Sequence, residues 1–208
     1  MKLKLCGMRR PEDIQAANRC RPDYVGFVFA PSRRRVTPRE ARELRKLLDP
    51  AVRAVGVFVN CPLRELAGIA QTVGLDVIQL HGDEDRAYLA GLRKLLQSPV
   101  WKAVRVKSQE EIREADSLGA DALLLDAFTE GTYGGTGARA DWELIARTEV
   151  RTPFLLAGGL NAGNLAQAVE TVRPWGVDLS GGIETDGWKD PAKMEQVTRL
   201  IRKLEGES

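Results

Sequence analysis

Eight short apolar runs recur along the chain: KLKLC (2–6), YVGFVF (24–29), RAVGVF (53–58), LDVIQL (75–80), PVWKAV (99–104), DALLLD (121–126), PFLLAG (153–158) and WGVDLS (175–180). Each is closed by a turn signal, and amphipathic stretches lie between most of them. Strands that are apolar at nearly every position cannot leave one face in water, so they belong in a parallel sheet covered by its crossover helices. Helix starts are marked as well. Thr37-Pro38-Arg39-Glu40 offers a cap at Thr37, a proline at the first helical position and an acidic residue that completes a capping box, and Ser108 to Glu111 repeats the pattern. The fold class is therefore α/β.

Polar and glycine residues cluster just after these runs, at Cys6-Gly7, Arg33 to Arg35, His81-Gly82, Asp126, Gly158-Gly159 and Ser180 to Gly182. An open sheet would bring only a few of them together at its switch point. A single (β/α)8 (TIM) barrel gathers all of them at its C-terminal rim, where active sites of that architecture lie. With eight strands and no linker-like tract, residues 1–208 are predicted to form one catalytic barrel. Some connections are too short for a full helix, and the stretch 129–141 is the longest irregular piece, rich in glycine.

The formal net charge is only +2 with both signs interspersed, which argues against nucleic acid as a partner. Cys6, Cys20 and Cys61 form an odd, widely spaced set that fits neither a disulfide framework nor paired metal ligands. The start, MKLKLCGMRRPEDI, lacks an apolar leader core, and no run approaches the length that spans a bilayer. A soluble, unprocessed, cytoplasmic protein is expected.

Glycine pairs end the last two runs, in AGGLN (157–161) and SGGIE (180–184). They can be plain tight turns, or they can let backbone N–H groups approach an anion, and loops after strands seven and eight bind phosphate in many barrels. Cys6 is either a small buried residue or, at the barrel mouth near a helix start and cations, a thiol able to act as base or nucleophile. Asp126 is either a cap or a half-desolvated acid able to donate a proton. Acid and base on opposing walls suit a proton-shuttling isomerisation. His81 stands alone among histidines, so a contact at the rim suits it better than a metal site. SRRR (32–35) reads as a solvated cluster, or as the source of a guanidinium that grips a substrate carboxylate. Neither a metal nor a redox cofactor is expected.

With these residues assembled, the chain resembles the phosphoribosylanthranilate isomerases of tryptophan biosynthesis. The likeness is carried by KLCG (4–7), VGFVF (25–29), the S-x-R-x-V pattern at Ser32 to Val36, VGVFVN (55–60), VIQLHG (77–82), LLLDA (123–127), YGGTG (133–137), Asp141-Trp142, AGGLN and GVDLSGGIE (176–184). It implies an Amadori rearrangement, an aldose-to-ketose isomerisation of a small phosphorylated substrate, with Cys6 as general base and Asp126 as general acid. It further implies that Arg34 holds the anthranilate carboxylate and that His81 lines the pocket. Gly158, Gly159, Asp178, Ser180, Gly181 and Gly182 complete the substrate-binding set. Monomers and homodimers are both compatible with it.

Three departures stand out. Ser32-Arg33-Arg34 replaces the common S-P-R, which leaves Arg33 and Arg35 as alternatives to Arg34. Met8-Arg9-Arg10-Pro11 replaces the usual polar cap of the first helix, and AGGL replaces SGGL without loss of backbone donors. One histidine cannot supply the ligand set of a metal-dependent epimerase. An isomerase that also takes an imidazole ribonucleotide, and a phosphate-binding barrel without activity, remain the other readings.

Overall fold

The computed structural model describes residues 1–126 and 142–206, so the glycine-rich stretch 129–141 falls outside the described residues. Strands β1 (Lys2–Cys6), β2 (Tyr24–Val28), β3 (Arg53–Phe58), β4 (Val77–Leu80), β5 (Val100–Arg105), β6 (Ala122–Asp126), β7 (Phe154–Ala157) and β8 (Gly176–Leu179) pair in chain order and close on themselves, β8 against β1. All eight neighbouring pairs are parallel. The (β/α)8 barrel expected from the sequence is thus the fold. Each strand falls within a residue or two of the apolar run that announced it.

Helices α1 (Pro11–Cys20), α2 (Pro38–Leu47), α3 (Leu63–Val73), α4 (Arg86–Arg93), α5 (Gln109–Asp116), α6 (Trp142–Ala146), α7 (Leu165–Val172) and α8 (Pro191–Leu204) surround the strands. Among the described residues none is long and apolar enough to cross a membrane. The capping box predicted for α2 is present: Thr37 Oγ1 accepts from the Glu40 N–H at 3.2 Å, and a Glu40 carboxylate oxygen accepts from the Thr37 N–H at 2.7 Å. Ser108 Oγ caps α5 by accepting from the Glu111 N–H at 3.3 Å, but the Glu111 carboxylate reaches back to the Lys107 N–H, so the reciprocal box expected there is not formed. The first helix, which lacks the usual cap, is served from within. Asp13, almost wholly buried, accepts from the N–H groups of Arg9 and Arg10 at 2.9 and 3.0 Å.

Strand alternation divides the core into two shells. Outward side chains such as Phe27, Phe58, Ile78 and Leu80 pack under the helices. Inward ones fill the lumen, and Tyr24, Val55, Val77, Trp101, Ala122 and Leu155 form its floor. Tyr24 meets Trp101 edge-on at 4.8 Å, a geometry worth roughly 1 kcal/mol beyond the area it buries. With the floor sealed, the open end of the lumen is the rim at the strands' C-termini. There a small hairpin, β9 (Glu184–Thr185) with β10 (Trp188–Lys189), folds back between β8 and α8.

Candidate active site

The same two-residue period that fills the floor aims Cys6, Val28, Gln79, Arg105, Asp126, Ala157 and Asp178 at the upper lumen, where a cavity of about 790 Å³ opens. All ten site residues expected from the sequence line it: Cys6, Arg34, His81, Asp126, Gly158, Gly159, Asp178, Ser180, Gly181 and Gly182. Cys6 and Asp126 end β1 and β6, with β7 and β8 between them on the shorter way round the ring.

Room for the thiol is made by a neighbour. Gly26 is the register partner of Cys6 on β2, and a Cβ there would sit 2.6 Å from the Cys6 sulfur. The Gly26 carbonyl also accepts from the N–H groups of Gly7 and Met8, at 2.9 and 3.0 Å, which fixes the turn after the cysteine. Burial pushes the Cys6 thiol above its usual range, opposed by the ammonium groups of Lys4 and Lys189.

His81 is held by the residue two before it on the same strand face. Gln79 Nε2 lies 3.1 Å from His81 Nδ1, and with the amide in this orientation the ring carries its proton on Nε2. Burial lowers the His81 pKa despite the nearby Asp126, so the imidazole is neutral at pH 7. Gln79 is buried, and its Oε1 has no hydrogen-bond partner among the described residues. The turn after His81 is fixed by Glu84, which accepts from the Asn60 and Gly82 N–H groups at 2.7 and 2.9 Å and pairs with buried Lys102 at 3.3 Å.

The arginine run separates into different placements. Arg33 and Arg34 line the cavity, whereas Arg35 bridges to Val28 and lines a neighbouring groove. Arg34 donates from Nε and Nη2 to the two carboxylate oxygens of Glu184, at 2.7 and 2.9 Å. Arg33 and Lys189 reach the same carboxylate, each at 2.7 Å. Although burial opposes it, Arg34 and Lys189 hold Glu184 down to about 2. Arg9, one of the atypical residues after the cysteine turn, ties this cluster together. Its guanidinium donates to the carbonyls of Arg33 and Gly187, each at 2.6 Å, and stacks 4.1 Å above the Trp188 ring.

The glycine loops after β7 and β8 touch each other. Gly158 and Gly159 take φ of 94° and 64°, and Gly181–Ile183 forms one 3-10 turn. A Cβ on Gly182 would collide with the Leu160 carbonyl oxygen, so the two loops form one concave wall.

Gln79, Arg105, Glu184, Lys189 and the fully buried Lys4 belong to the site or its support without having been singled out by the sequence. Gln79 and Glu184 lie inside the motifs VIQLHG and SGGIE. Lys4 gains its meaning from Asp178 on β8, and Lys189 from Glu184 across the short hairpin.

Comparison with known proteins agrees with this geometry. Residues 3–199 match the family described as N-(5'phosphoribosyl)anthranilate (PRA) isomerase. The N-(5'-phosphoribosyl)anthranilate isomerase of Acetivibrio thermocellus is 45% identical over 98% of this chain and 97% of its own length, and that of Thermoanaerobacter sp. (strain X514) is 43% identical over 97% and 98%. Phosphoribosyl anthranilate isomerase from Thermotoga maritima superimposes with a TM-score of 0.85 at 34% identity, covering 99% of both chains. A second solved isomerase, in complex with reduced 1-(o-carboxyphenylamino)-1-deoxyribulose 5-phosphate, gives 0.81 at 32% identity, again over 99% of both chains. The chain belongs to the N-(5'-phosphoribosyl)anthranilate isomerase family.

Proposed function

We propose that residues 1–208 act as one catalytic barrel that converts N-(5'-phosphoribosyl)anthranilate to 1-(2-carboxyphenylamino)-1-deoxyribulose 5-phosphate in tryptophan biosynthesis, with Cys6 as general base and Asp126 as general acid. The observation that carries this reading is that a thiol from β1 and a carboxyl group from β6 line one cavity beside paired glycine loops.

Asp126 protonates the furanose ring oxygen as the C1–O bond breaks, leaving a Schiff base between C1 and the anthranilate nitrogen. The Cys6 thiolate then takes the proton from C2, and the electron pair of the C–H bond moves to give an enolamine. Tautomerisation of the enol to the ketone completes the isomerisation, with no net gain or loss of electrons. Arg34, its Nε and Nη2 edge fixed by Glu184, offers its remaining N–H donors to the anthranilate carboxylate. His81 lines the same cavity. Backbone N–H groups around Gly158, Gly159, Gly181 and Gly182, with Ser180, receive the phosphate. Asp178 lines the substrate cavity as well.

The protein is read as a cytoplasmic monomer or homodimer whose ligand is a small phosphorylated metabolite. Its three cysteines, Cys6, Cys20 and Cys61, are unpaired. The test is the loss of fluorescence of freshly prepared phosphoribosylanthranilate on adding the protein. Decay no faster than the spontaneous rate removes the assignment.

A further inference from the structure

Lys4 precedes Cys6 by two residues on β1, so both side chains point into the lumen. Lys4 is fully buried, and its Nζ lies 2.9 Å from Oδ1 of Asp178, its register partner on β8. Burying an ammonium and a carboxylate costs several kcal/mol per ion before their attraction is counted, and branched aliphatic residues are the usual filling of a barrel lumen. Packing alone therefore does not account for a lysine here. The location of the pair does, because Lys4 and Cys6 leave the same face of β1 two residues apart, which sets the buried ammonium beside the thiol.

Among the described residues the charges around the thiol come from several elements, with Glu184 bound to both Lys189 and Arg34, and with Arg33 and Arg105 also lining the cavity. Lys4 approaches from β1 itself, Asp178 from β8, Lys189 from the hairpin and Arg34 from the loop before α2. His81 and Asp126 line the cavity that the thiol shares. Burial would discharge Lys4, but Asp178 and Cys6 outweigh it and keep the ammonium ionised. Burial likewise opposes the Cys6 thiolate, and Lys4 is the strongest of the groups that favour it.

We infer that Lys4 is a positioning residue of the reaction: a permanently buried ammonium beside Cys6 that stabilises its thiolate, with Asp178 as the counter-charge that keeps Lys4 ionised while the thiol is neutral. When Cys6 loses its proton, the new negative charge forms beside a cation already in place, so no solvent needs to reorganise inside the lumen. This inference rests on the reading of Cys6 as the general base. It adds to Asp178 an electrostatic role beyond lining the cavity.

The test is the pH dependence of Cys6 alkylation by iodoacetamide in the full chain, read peptide by peptide because Cys20 and Cys61 are free as well. Lys4→Met should move the Cys6 midpoint up by at least about one pH unit, slowing alkylation about tenfold at any pH below the midpoint. In turnover, Lys4→Met should lower kcat about tenfold or more while KM changes little. A Lys4→Met midpoint that coincides with the parent's, in a protein of unchanged circular dichroism, overturns the inference. If Lys4→Met does not fold, Lys4→Gln decides: an upward shift of the Cys6 midpoint supports the inference, and an unchanged or lowered midpoint overturns it. Failure of the underlying reading shows separately, as full activity in Cys6→Ala, and leaves the alkylation midpoints untouched.

Discussion

Arg34 presents one edge of its guanidinium to Glu184, Nε and Nη2 each donating to a separate carboxylate oxygen, so the plane of the group is fixed before any substrate arrives. A bidentate clamp of this kind leaves the opposite edge free to receive a second carboxylate and removes most of the ordering cost of binding it. Glu184→Gln keeps the shape but gives up the charge. It should raise KM by about tenfold with kcat little changed, whereas Arg34→Ala should raise KM by roughly ten- to a hundredfold. Steady-state kinetics of both variants check this, and an unchanged KM in Arg34→Ala would shift the carboxylate contact to Arg33.

The same carboxylate makes the rim sensitive to acid. Glu184 is held down to about 2 by Arg34 and Lys189, well below the ordinary value of an unfolded chain. A depressed acid contributes stability that is fully present above its unfolded value, near pH 4.5, and is lost as pH falls toward 2. Allowing for solvent screening at the rim, the loss is about 2 kcal/mol. Urea melts of the parent and of Glu184→Gln should therefore differ at pH 6 and converge toward pH 2. Equal differences at both pH values would deny the depressed ionisation.

Proton transfer gives a third expectation. Cys6→Ala and Asp126→Asn should each lower kcat by roughly a hundred- to ten-thousandfold with the fold intact. Because burial raises the Cys6 thiol and the base must be thiolate, kcat/KM of the parent should climb with pH through neutrality and fall off steadily as pH drops. Residual activity in Cys6→Ala should lack that limb. A flat profile in the parent, or near-full activity in either variant, would remove the residue from its role.

What the sequence made legible follows from how locally each feature is encoded. A parallel barrel strand is buried on both faces, so its apolar run announces it directly, and the rim residues follow because they come next in the chain. Capping boxes within one turn, such as Thr37 with Glu40, were equally visible. The internal cap of α1 by Asp13 was not, because nothing in MRRPED marks an acidic side chain that bends back and is buried. Lys4 was hidden for a stronger reason. KLKLC alternates like a strand with a wet face, and only the closure of β8 onto β1 brings in Asp178, 174 residues away, to make an inward lysine tolerable. The hairpin that carries Lys189 consists of two-residue strands, too short to leave a periodic signal, and the role of Glu184 depends on it. The three candidate arginines could not be ranked by spacing alone, since adjacent loop residues have no fixed direction. In the structure Arg33 and Arg34 face the cavity and Arg35 does not.

Contact between the two glycine loops supplies the last prediction. Gly182 follows β8 and meets the loop after β7 so closely that an added methyl group would collide with the Leu160 carbonyl and approach the Asn161 Cβ to 2.9 Å. Backbone atoms cannot swing aside as a side chain can, so Gly182→Ala must push the loops apart. Overpacking of this kind costs about 1–3 kcal/mol, and the displaced N–H groups should grip a phosphate less well. Gly159→Ala provides the contrast. Its Cβ would meet nothing within 4 Å, and the penalty there is the left-handed backbone at φ 64°, about 1 kcal/mol. If the loops form one anion cradle, inhibition by inorganic phosphate should weaken several-fold more in Gly182→Ala than in Gly159→Ala. Equal weakening would mean that backbone strain, rather than the fit of one loop against the other, governs the site.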